Sequence, residues 1–157
     1  AFVMLKNQKR NQGFTIIEVL IVLAIAGLIL LIVFLAVPAL QRNSRNTQYK
    51  NDAAALIGAA TEFSNNSNGA VPKDANETTV KDLAKTRSLT NLDIETGPAA
   101  VTLSTFDEAI IRTASRCPAT PSGDETATLQ SGSTRSMVIV YPVENSAGKI
   151  VAQCTES

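Results

Sequence analysis

A single acidic residue, Glu18, lies at the start of a run of apolar residues that extends from Val19 to Val37 without any charge. When such a segment enters a bilayer, a carboxylate at its threshold must reach the interface, take up a proton or meet a cation. Just upstream, a glycine is followed by a hydrophobic residue in the sequence Gly13-Phe14-Thr15. This neighbourhood predicts a chain that enters a membrane, is cut near its start and keeps one costly carboxylate in an apolar helix.

The apolar run is long enough to cross a membrane. Its nineteen residues, Val19 to Val37, would form a helix of about 28 Å, close to the roughly 30 Å thickness of a bilayer's hydrocarbon core. The apolar core of a signal peptide is shorter, about 7–15 residues. A core helix of a soluble domain is the alternative, but a small domain would leave such a helix one polar face toward water, and this run shows none. Membrane insertion is therefore the preferred interpretation.

The charges of the chain are unevenly distributed. Fourteen basic and fourteen acidic residues balance overall, but residues 1–13 contain three basic residues and no acid, which leaves 11 basic and 14 acidic residues after them. A short basic head before an apolar run is the layout of a targeting segment, whose first residue is either Ala1 or Met4. The remainder has no basic excess, so nucleic-acid binding by the bulk of the chain is not indicated.

Basic residues flank both ends of the apolar run in equal number, so the positive-inside rule does not decide its orientation. They are Lys6, Lys9 and Arg10 on one side and Arg42, Arg45 and Lys50 on the other. The cysteines are more informative, because the chain has two, Cys117 and Cys154, both in its C-terminal part. Two free buried thiols are possible, but a disulfide in an oxidising compartment is favoured. It would place the C-terminal domain outside the cytoplasm.

The helical pattern continues beyond Pro38 and becomes one-sided. Apolar residues at helical spacing are Tyr49, Ala53, Leu56, Ile57, Ala60 and Phe63. The polar cluster at residues 65–69 is a strong stop signal. Pro38 lacks the N–H that would bond the carbonyl of Phe34, so we expect a kink at residues 34–38, with Gly27 as a second soft point.

The rest of the chain predicts a small mixed domain. We expect a short helix from Thr79 to Arg87 and another from Ser104 to Arg112, followed by a meander of three antiparallel strands at residues 126–130, 137–141 and 149–153. The fold class is therefore α+β, with a long N-terminal helix packed on a small antiparallel sheet. Since so small a domain buries little by itself, the helical face from Tyr49 to Phe63 should supply half of its core.

The sequence of residues 13–19, Gly13-Phe14-Thr15-Ile16-Ile17-Glu18-Val19, with Gly27 beyond it, resembles the type IV pilins and the related type II secretion pseudopilins. The resemblance covers about the first 60 residues, and many pilins also carry a C-terminal cysteine pair. Pro38 lies about three residues further from the cut than the corresponding proline of many pilins. Residues 70–125 match no pattern of the family.

The resemblance implies a division of the chain and a function. Residues 1–13 would be a leader that a prepilin peptidase removes after Gly13, with methylation of the new amine on Phe14. Residues 14–40 would be a transmembrane and filament-core helix, and residues 41–157 an extracytoplasmic domain. The product would be a homopolymeric pilus subunit without enzymatic activity, cofactor or metal, delivered from the cytoplasmic membrane to an assembly platform. Filaments of this family serve adhesion, twitching motility, DNA uptake or secretion.

The resemblance also gives Glu18 a partner. Cutting after Gly13 creates an amine on Phe14, which lies four residues from Glu18 and on the same helix face. That amine can pair with Glu18 of its own chain or of a neighbour, and pairing between neighbours would favour one axial register. Glu18 is therefore predicted to be the assembly residue.

Other functions remain as alternatives at this point. Val37-Pro38-Ala39 resembles a signal-peptidase site, which would release a secreted domain, and a membrane-anchored binding domain is a further possibility. The chain has no histidine, which excludes histidine bases and ligands from an enzyme. The acidic pairs at residues 107–108 and 124–125 are interpreted as solvated turns rather than calcium ligands. Asn65 and Asn76 match glycosylation acceptor patterns, which are common by chance in stretches rich in asparagine.

Overall fold

The computed structural model describes residues 13–157. Its elements are α1 (Ile16–Asn66), a 3-10 turn (Asp74–Asn76), α2 (Glu77–Ala84), β1 (Asn91–Thr96), β2 (Ala100–Thr102), β3 (Glu108–Thr113), β4 (Ser115–Arg116), β5 (Thr126–Thr128), β6 (Gln130–Ser131), β7 (Met137–Glu144) and β8 (Ile150–Glu156). The chain separates into two compact units, one ending at Leu40 and the other running from Gln41 to Ser157. The α+β class predicted from the sequence is confirmed.

Helix α1 ends where the sequence predicts. Asn68 and Gly69 both take positive φ angles, 56° and 81°. The N–H of Gly69 donates to the carbonyl of Ser64 at 2.8 Å, so the reversed backbone satisfies a carbonyl that the helix leaves open. The side chain of Arg135 lies against Gly69, and a Cβ there would meet its guanidinium at 2.9 Å. Glycine is therefore favoured at this stop by its positive φ, whereas the flexible Arg135 side chain could move aside for a Cβ.

The second unit is built around a four-stranded sheet with the order β1-β3-β7-β8. The pairs β3–β7 and β7–β8 are antiparallel, whereas β1 and β3 are parallel, with Leu92 opposite Ala109. The predicted hairpin of the last two strands is confirmed, with Val140 opposite Cys154. The sheet is thus dominated by antiparallel pairs but is not purely antiparallel, because the chain leaves the sheet between β1 and β3 to form β2.

Both faces of this sheet are covered. One face packs on the apolar side of α1, where Leu56 and Ala60 are completely buried and Tyr49 and Phe63 lie at the margin. This confirms the helical face predicted from the sequence. The other face carries Val138 and Val140 and packs against residues of β2 and β5. A central strand such as β7 is buried on both sides, so its sequence is continuously apolar rather than alternating.

Polar contacts fix the position of α1 on the sheet. The side-chain amide of Asn46 pairs with the backbone of Glu144, accepting from its N–H at 2.7 Å and donating to its carbonyl at 2.9 Å. Arg45 forms an ion pair with the Glu144 carboxylate at 2.5 Å. Further along the helix, one carboxylate oxygen of Asp52 accepts three backbone N–H groups, from Arg87, Ser88 and Leu89.

The expected disulfide is present and joins Cys117 to Cys154, with 5.6 Å between their Cα atoms. It closes a 37-residue separation and ties the segment after β4 to β8. In the chain-entropy account a loop of this length contributes about 3–4 kcal/mol to stability. Both cysteines pack at the edge of the apolar cluster that Val138 and Val140 form with residues of β2 and β5, on the sheet face that α1 does not cover.

Two sequence predictions about strands and helices are wrong, and the bounds of a third differ from those in the structure. The helix predicted from Ser104 to Arg112 is strand β3, because Ile110, Ile111 and Thr113 are β-branched and the strand is paired on both sides. Glu108 does reach back to the N–H of Ser104, at 2.8 Å, but this bond closes a loop and does not begin a helix.

The meander is also wrong in its first strand. Residues 126–128 form β5, which pairs with β2 rather than with β7. The chain between them is used to form β6, which pairs with β4. The short helix exists but runs from Glu77 to Ala84 rather than from Thr79 to Arg87. Lys85 takes the left-handed conformation at φ 50°, and the N–H groups of residues 87–89 are held by Asp52, so the helix does not continue.

Substitution of Leu56 tests the contribution of α1 to the core. Leu56→Asp should destabilise residues 41–157 by at least about 4 kcal/mol and unfold them, because an unpaired charge would replace a fully buried side chain. The control is Ala55→Asp on the exposed face of the same helix, which should leave stability nearly unchanged. Urea unfolding of the disulfide-intact protein would measure both, and equal midpoints for the two variants would contradict the packing.

Candidate functional site

The beginning of α1 is organised by Thr15 and Glu18. Thr15 immediately precedes the helix and its carbonyl accepts from the N–H of Val19 at 3.3 Å. A carboxylate oxygen of Glu18, Oε2, accepts from both the backbone N–H and the hydroxyl of Thr15, each at 2.8 Å. In return the Thr15 hydroxyl oxygen accepts from the N–H of Glu18 at 3.3 Å. This reciprocal arrangement is a capping box.

The capping box explains how the chain keeps an acid at the threshold of an apolar helix. The first N–H groups of a helix have no partner within it, and the helix N-terminus carries partial positive charge. Glu18 lies in the first turn and supplies an acceptor and a negative charge at that point. Its carboxylate is thereby held beside the backbone nitrogen of Thr15, one residue away from Phe14.

The predicted cleavage point is open. Gly13, Phe14 and Thr15 lie outside the helix, and all three are exposed. A Cβ built on Gly13 would meet no atom within 4 Å among the described residues. The Gly13–Phe14 bond is therefore presented in non-helical backbone directly before a helix, which is a form that a protease can bind without unfolding the helix.

The helix that follows is apolar and uncovered. Its side chains from Ile16 to Leu40 are all exposed, and they include large hydrophobic groups such as Phe34, which is 76% exposed. An 18-residue stretch reaches a mean hydropathy of 3.4, and within residues 13–157 α1 is the one helix long and apolar enough to cross a membrane. An apolar surface of this extent marks a site that lipid or another protein covers.

The two predicted soft points lie inside α1. Pro38 is within the helix, which continues through it to Asn66. A Cβ built on Gly27 would meet no atom within 4 Å in the described part of the chain, so packing does not require a glycine there. A kink at either residue stays a prediction.

The other residues considered from the sequence have local roles. Glu108 closes the loop at Ser104, and the Asp124 carboxylate accepts from the N–H of Thr126 at 3.2 Å. Both acidic pairs therefore contribute a turn contact. No group of three or more histidine, cysteine or acidic residues is placed to hold a metal ion within residues 13–157.

The comparison with protein families bears directly on this region. Residues 8–34 match the family model described as the prokaryotic N-terminal methylation motif. These residues carry a prepilin signal of the type IV pilin and pseudopilin kind. No curated protein and no solved structure matches the chain.

The prepilin signal spans Gly13, Phe14, Glu18 and Gly27, and it continues into the apolar part of α1. Together with that helix it fits a membrane-anchored precursor. The residues predicted to be processed, Gly13 and Phe14, therefore lie in the segment where a prepilin peptidase would act.

The sequence interpretation missed the part played by Thr15. The signal was readable, because a threonine followed three residues later by glutamate, directly before an apolar run, is the pattern of a capping box. The membrane cost of Glu18 and its distance from Phe14 predict its role in assembly, but neither consideration involves the threonine between them. The structure shows that Thr15 is the partner of Glu18 within the uncut chain.

Removing the Thr15 hydroxyl should loosen the start of α1. In Thr15→Val the amides of residues 16–18 should exchange hydrogen faster than in the parent chain, because two of the three capping bonds are lost. Thr15→Ser retains the hydroxyl and should exchange at the parent rate. Hydrogen exchange followed by mass spectrometry, on full-length protein in detergent, would measure the effect, and identical exchange in the valine and serine variants would contradict the capping box.

Proposed function

We propose that this chain is a pilin, a structural subunit that polymerises into a type IV pilus-like filament after removal of residues 1–13 and methylation of Phe14. The observation that supports it most is the prepilin signal at residues 8–34, which leads directly into an apolar helix with no covering from residues 13–157. The expected partners are a prepilin peptidase, an assembly platform in the membrane and further copies of the chain.

The geometry at Glu18 supports a link between processing and assembly. Cleavage after Gly13 would convert the amide nitrogen of Phe14 into an ammonium group, next to the Thr15 nitrogen that Glu18 already binds at 2.8 Å. The carboxylate has a second oxygen, Oε1, which accepts no hydrogen bond from the described residues. A cation from the same chain or from a neighbour can therefore be bound without dismantling the capping box.

The apolar surface of α1 supports burial first in lipid and then among other copies of the same helix. A helix satisfies its own backbone hydrogen bonds, so it can pass from a bilayer to a packed bundle without exposing polar backbone. Inside such a bundle a carboxylate without a cation is costly, so only registers that bring an amine to Glu18 are favoured. The acid would thus select one axial position for each incoming subunit.

The disulfide supports an extracytoplasmic location for residues 41–157. Disulfides persist in oxidising compartments and are rare in the cytoplasm. The domain would be carried on the outside of the filament, with the membrane-inserted precursor as its starting point.

A pseudopilin is the second candidate, because the same signal is found in both kinds of subunit. The two differ in what they build, a long surface pilus or a short assembly below the surface. Electron microscopy with antibody against residues 41–157 would distinguish them, since long labelled filaments support the pilin and their absence under expression conditions supports the pseudopilin.

Intact-mass spectrometry of the protein from its native membrane and surface fractions would test processing. We expect a chain that begins at Phe14 and carries one methyl group, with its disulfide formed. Gly13→Val should accumulate as the uncut chain: the chain itself leaves room for the side chain, but the branched group would obstruct the peptidase that must bind this exposed backbone. A native chain that begins at Leu40 would indicate secretion, and one that retains the basic head would indicate a simple anchor; either would overturn the proposal.

Glu18→Ala should be cut and methylated like the parent chain but yield no filaments above background in sheared surface fractions. Assembly should fail because the Phe14 amine would lose its carboxylate partner. Processing should continue because the Gly13–Phe14 bond stays exposed. Glu18→Gln is the matched control, since it retains the shape and an oxygen for Thr15 but removes the charge, and it should also fail to assemble. A normal filament yield from either variant would contradict the role assigned to Glu18.

A further inference from the structure

Asn76 lies in a short segment at the protein surface, between α1 and the sheet, that has the features of a modification site. The segment reads Asp74-Ala75-Asn76-Glu77-Thr78 and contains the acceptor pattern asparagine, any residue but proline, threonine. It comprises the 3-10 turn and the first two residues of α2. None of its five residues is buried.

The side-chain amide of Asn76 uses its oxygen in a hydrogen bond, whereas its nitrogen, the atom that would be glycosylated, stays accessible. Its oxygen, Oδ1, accepts from the backbone N–H of Lys73 at 3.1 Å. Its nitrogen, Nδ2, donates no hydrogen bond to the described residues and is not among their buried polar atoms that lack a partner. The contact to Lys73 therefore fixes the oxygen side and turns the nitrogen toward solvent.

We propose that Asn76 is an N-glycosylation site, with a polyprenyl-diphosphate-linked oligosaccharide as the donor and a membrane oligosaccharyltransferase as the catalyst. Nδ2 of Asn76 forms a bond to the anomeric carbon of the first sugar. The bond from that carbon to the diphosphate breaks, and the polyprenyl diphosphate leaves with the electron pair. One Nδ2 proton passes to a base of the transferase. The site requires residues 41–157 to lie outside the cytoplasm, as proposed above.

The local structure suits a transferase that must bind its acceptor as an extended strand. Opening residues 74–78 breaks the two hydrogen bonds between Asn76 and Lys73, together with the bond from the Glu77 N–H to the Asp74 carbonyl and the ion pair between Lys81 and Glu77. None of the five side chains that move is fully buried. The first turn of an eight-residue helix can fray, because so short a helix has little stability of its own. Val80, the buried residue of α2, can stay in the core meanwhile.

A carboxylate two residues before the asparagine adds to the site. Asp74 is exposed and forms no ion pair or side-chain hydrogen bond with residues 13–157. Its carboxylate can therefore form an ion pair with a basic group of the transferase. Thr78 is exposed as well, so its hydroxyl is available to be recognised.

The second acceptor pattern of the chain provides an internal comparison. Asn65 is exposed, but it lies in the last turn of α1, where Ser67 donates back to Phe63 at 3.0 Å. Binding it as an extended strand would require unwinding a helix end that the following left-handed turn secures. The residue two positions before it is Phe63, which packs at the margin of the core and carries no charge. Asn76 rather than Asn65 is therefore the site.

Glycopeptide mass spectrometry of the surface-accessible, full-length protein from its native cells tests the proposal. Trypsin releases residues 74–81, which contain Asn76 and no other asparagine. We expect this peptide to carry an oligosaccharide that electron-transfer fragmentation locates on Asn76, and the peptide that contains Asn65 to be unmodified. A peptide 74–81 without glycan in protein that has reached the surface would overturn the proposal, and this result is distinct from a failure of export.

Matched variants separate this site from an O-linked sugar on a neighbouring threonine. Asn76→Asp retains an oxygen for the Lys73 N–H and should lose the glycan completely. Thr78→Ala should lose it too, whereas Thr78→Ser should retain it. Asp74→Ala should lower occupancy severalfold relative to Asp74→Glu. Either of two results would overturn an N-linked site. One is a glycan that persists on Asn76→Asp. The other is a glycan that lies on Thr78 itself in the parent chain and is lost from both Thr78→Ser and Thr78→Ala.

Discussion

The uncovered apolar surface of α1 up to Leu40 is the constraint to which the other features of the chain respond. In this stretch the helix satisfies its own backbone but leaves every side chain exposed, and water is a poor solvent for such a surface. From Gln41 onward the same helix has one buried face and one polar face, and the chain divides into its two units at this point. A single element therefore meets two environments, and only the second is supplied by the chain itself.

The acid at the start of the helix is intelligible only within this constraint. In an exposed helix of a soluble protein, a Thr15–Glu18 capping box would be an ordinary start signal. Here the capping box lies at the start of a segment that fits a membrane anchor. The two bonds from Thr15 therefore also give the Glu18 carboxylate hydrogen-bond donors in a region where water is scarce. A glutamate is better suited than an aspartate to both tasks, since its longer side chain reaches back to the Thr15 nitrogen from the third helical position. Local folding and the proposed assembly chemistry thus require the same side chain.

The parts of the fold that were predicted from the sequence are those encoded by local periodicity. The buried face around Leu56 and Ala60 follows from helical spacing, and the last hairpin follows from two β-branched runs around a turn. Strand β3 was missed because residues 108–113 have a capping-like start and become a strand through pairing with β1 and β7, which are distant in sequence. Strand β5 was assigned to the wrong partner for the same reason. The prepilin region is predictable because its information is contiguous, and the bond from Thr15 to Glu18 is equally local and follows the capping-box spacing.

Apolar burial and polar contacts have different roles in the second unit. The ion pair between Arg45 and Glu144 has an arginine that is about half exposed, so it adds little to stability in water. The backbone-like pairing of Asn46 with Glu144 and the three N–H groups on Asp52 are more directional, and they fix the helix at two points along its length. Because apolar side chains pack without strict direction, burial of Leu56 and its neighbours alone would tolerate a shift of α1 along the sheet. Burial of the helix face thus supplies the free energy that holds α1 on the sheet, and the contacts of Asn46 and Asp52 set its register.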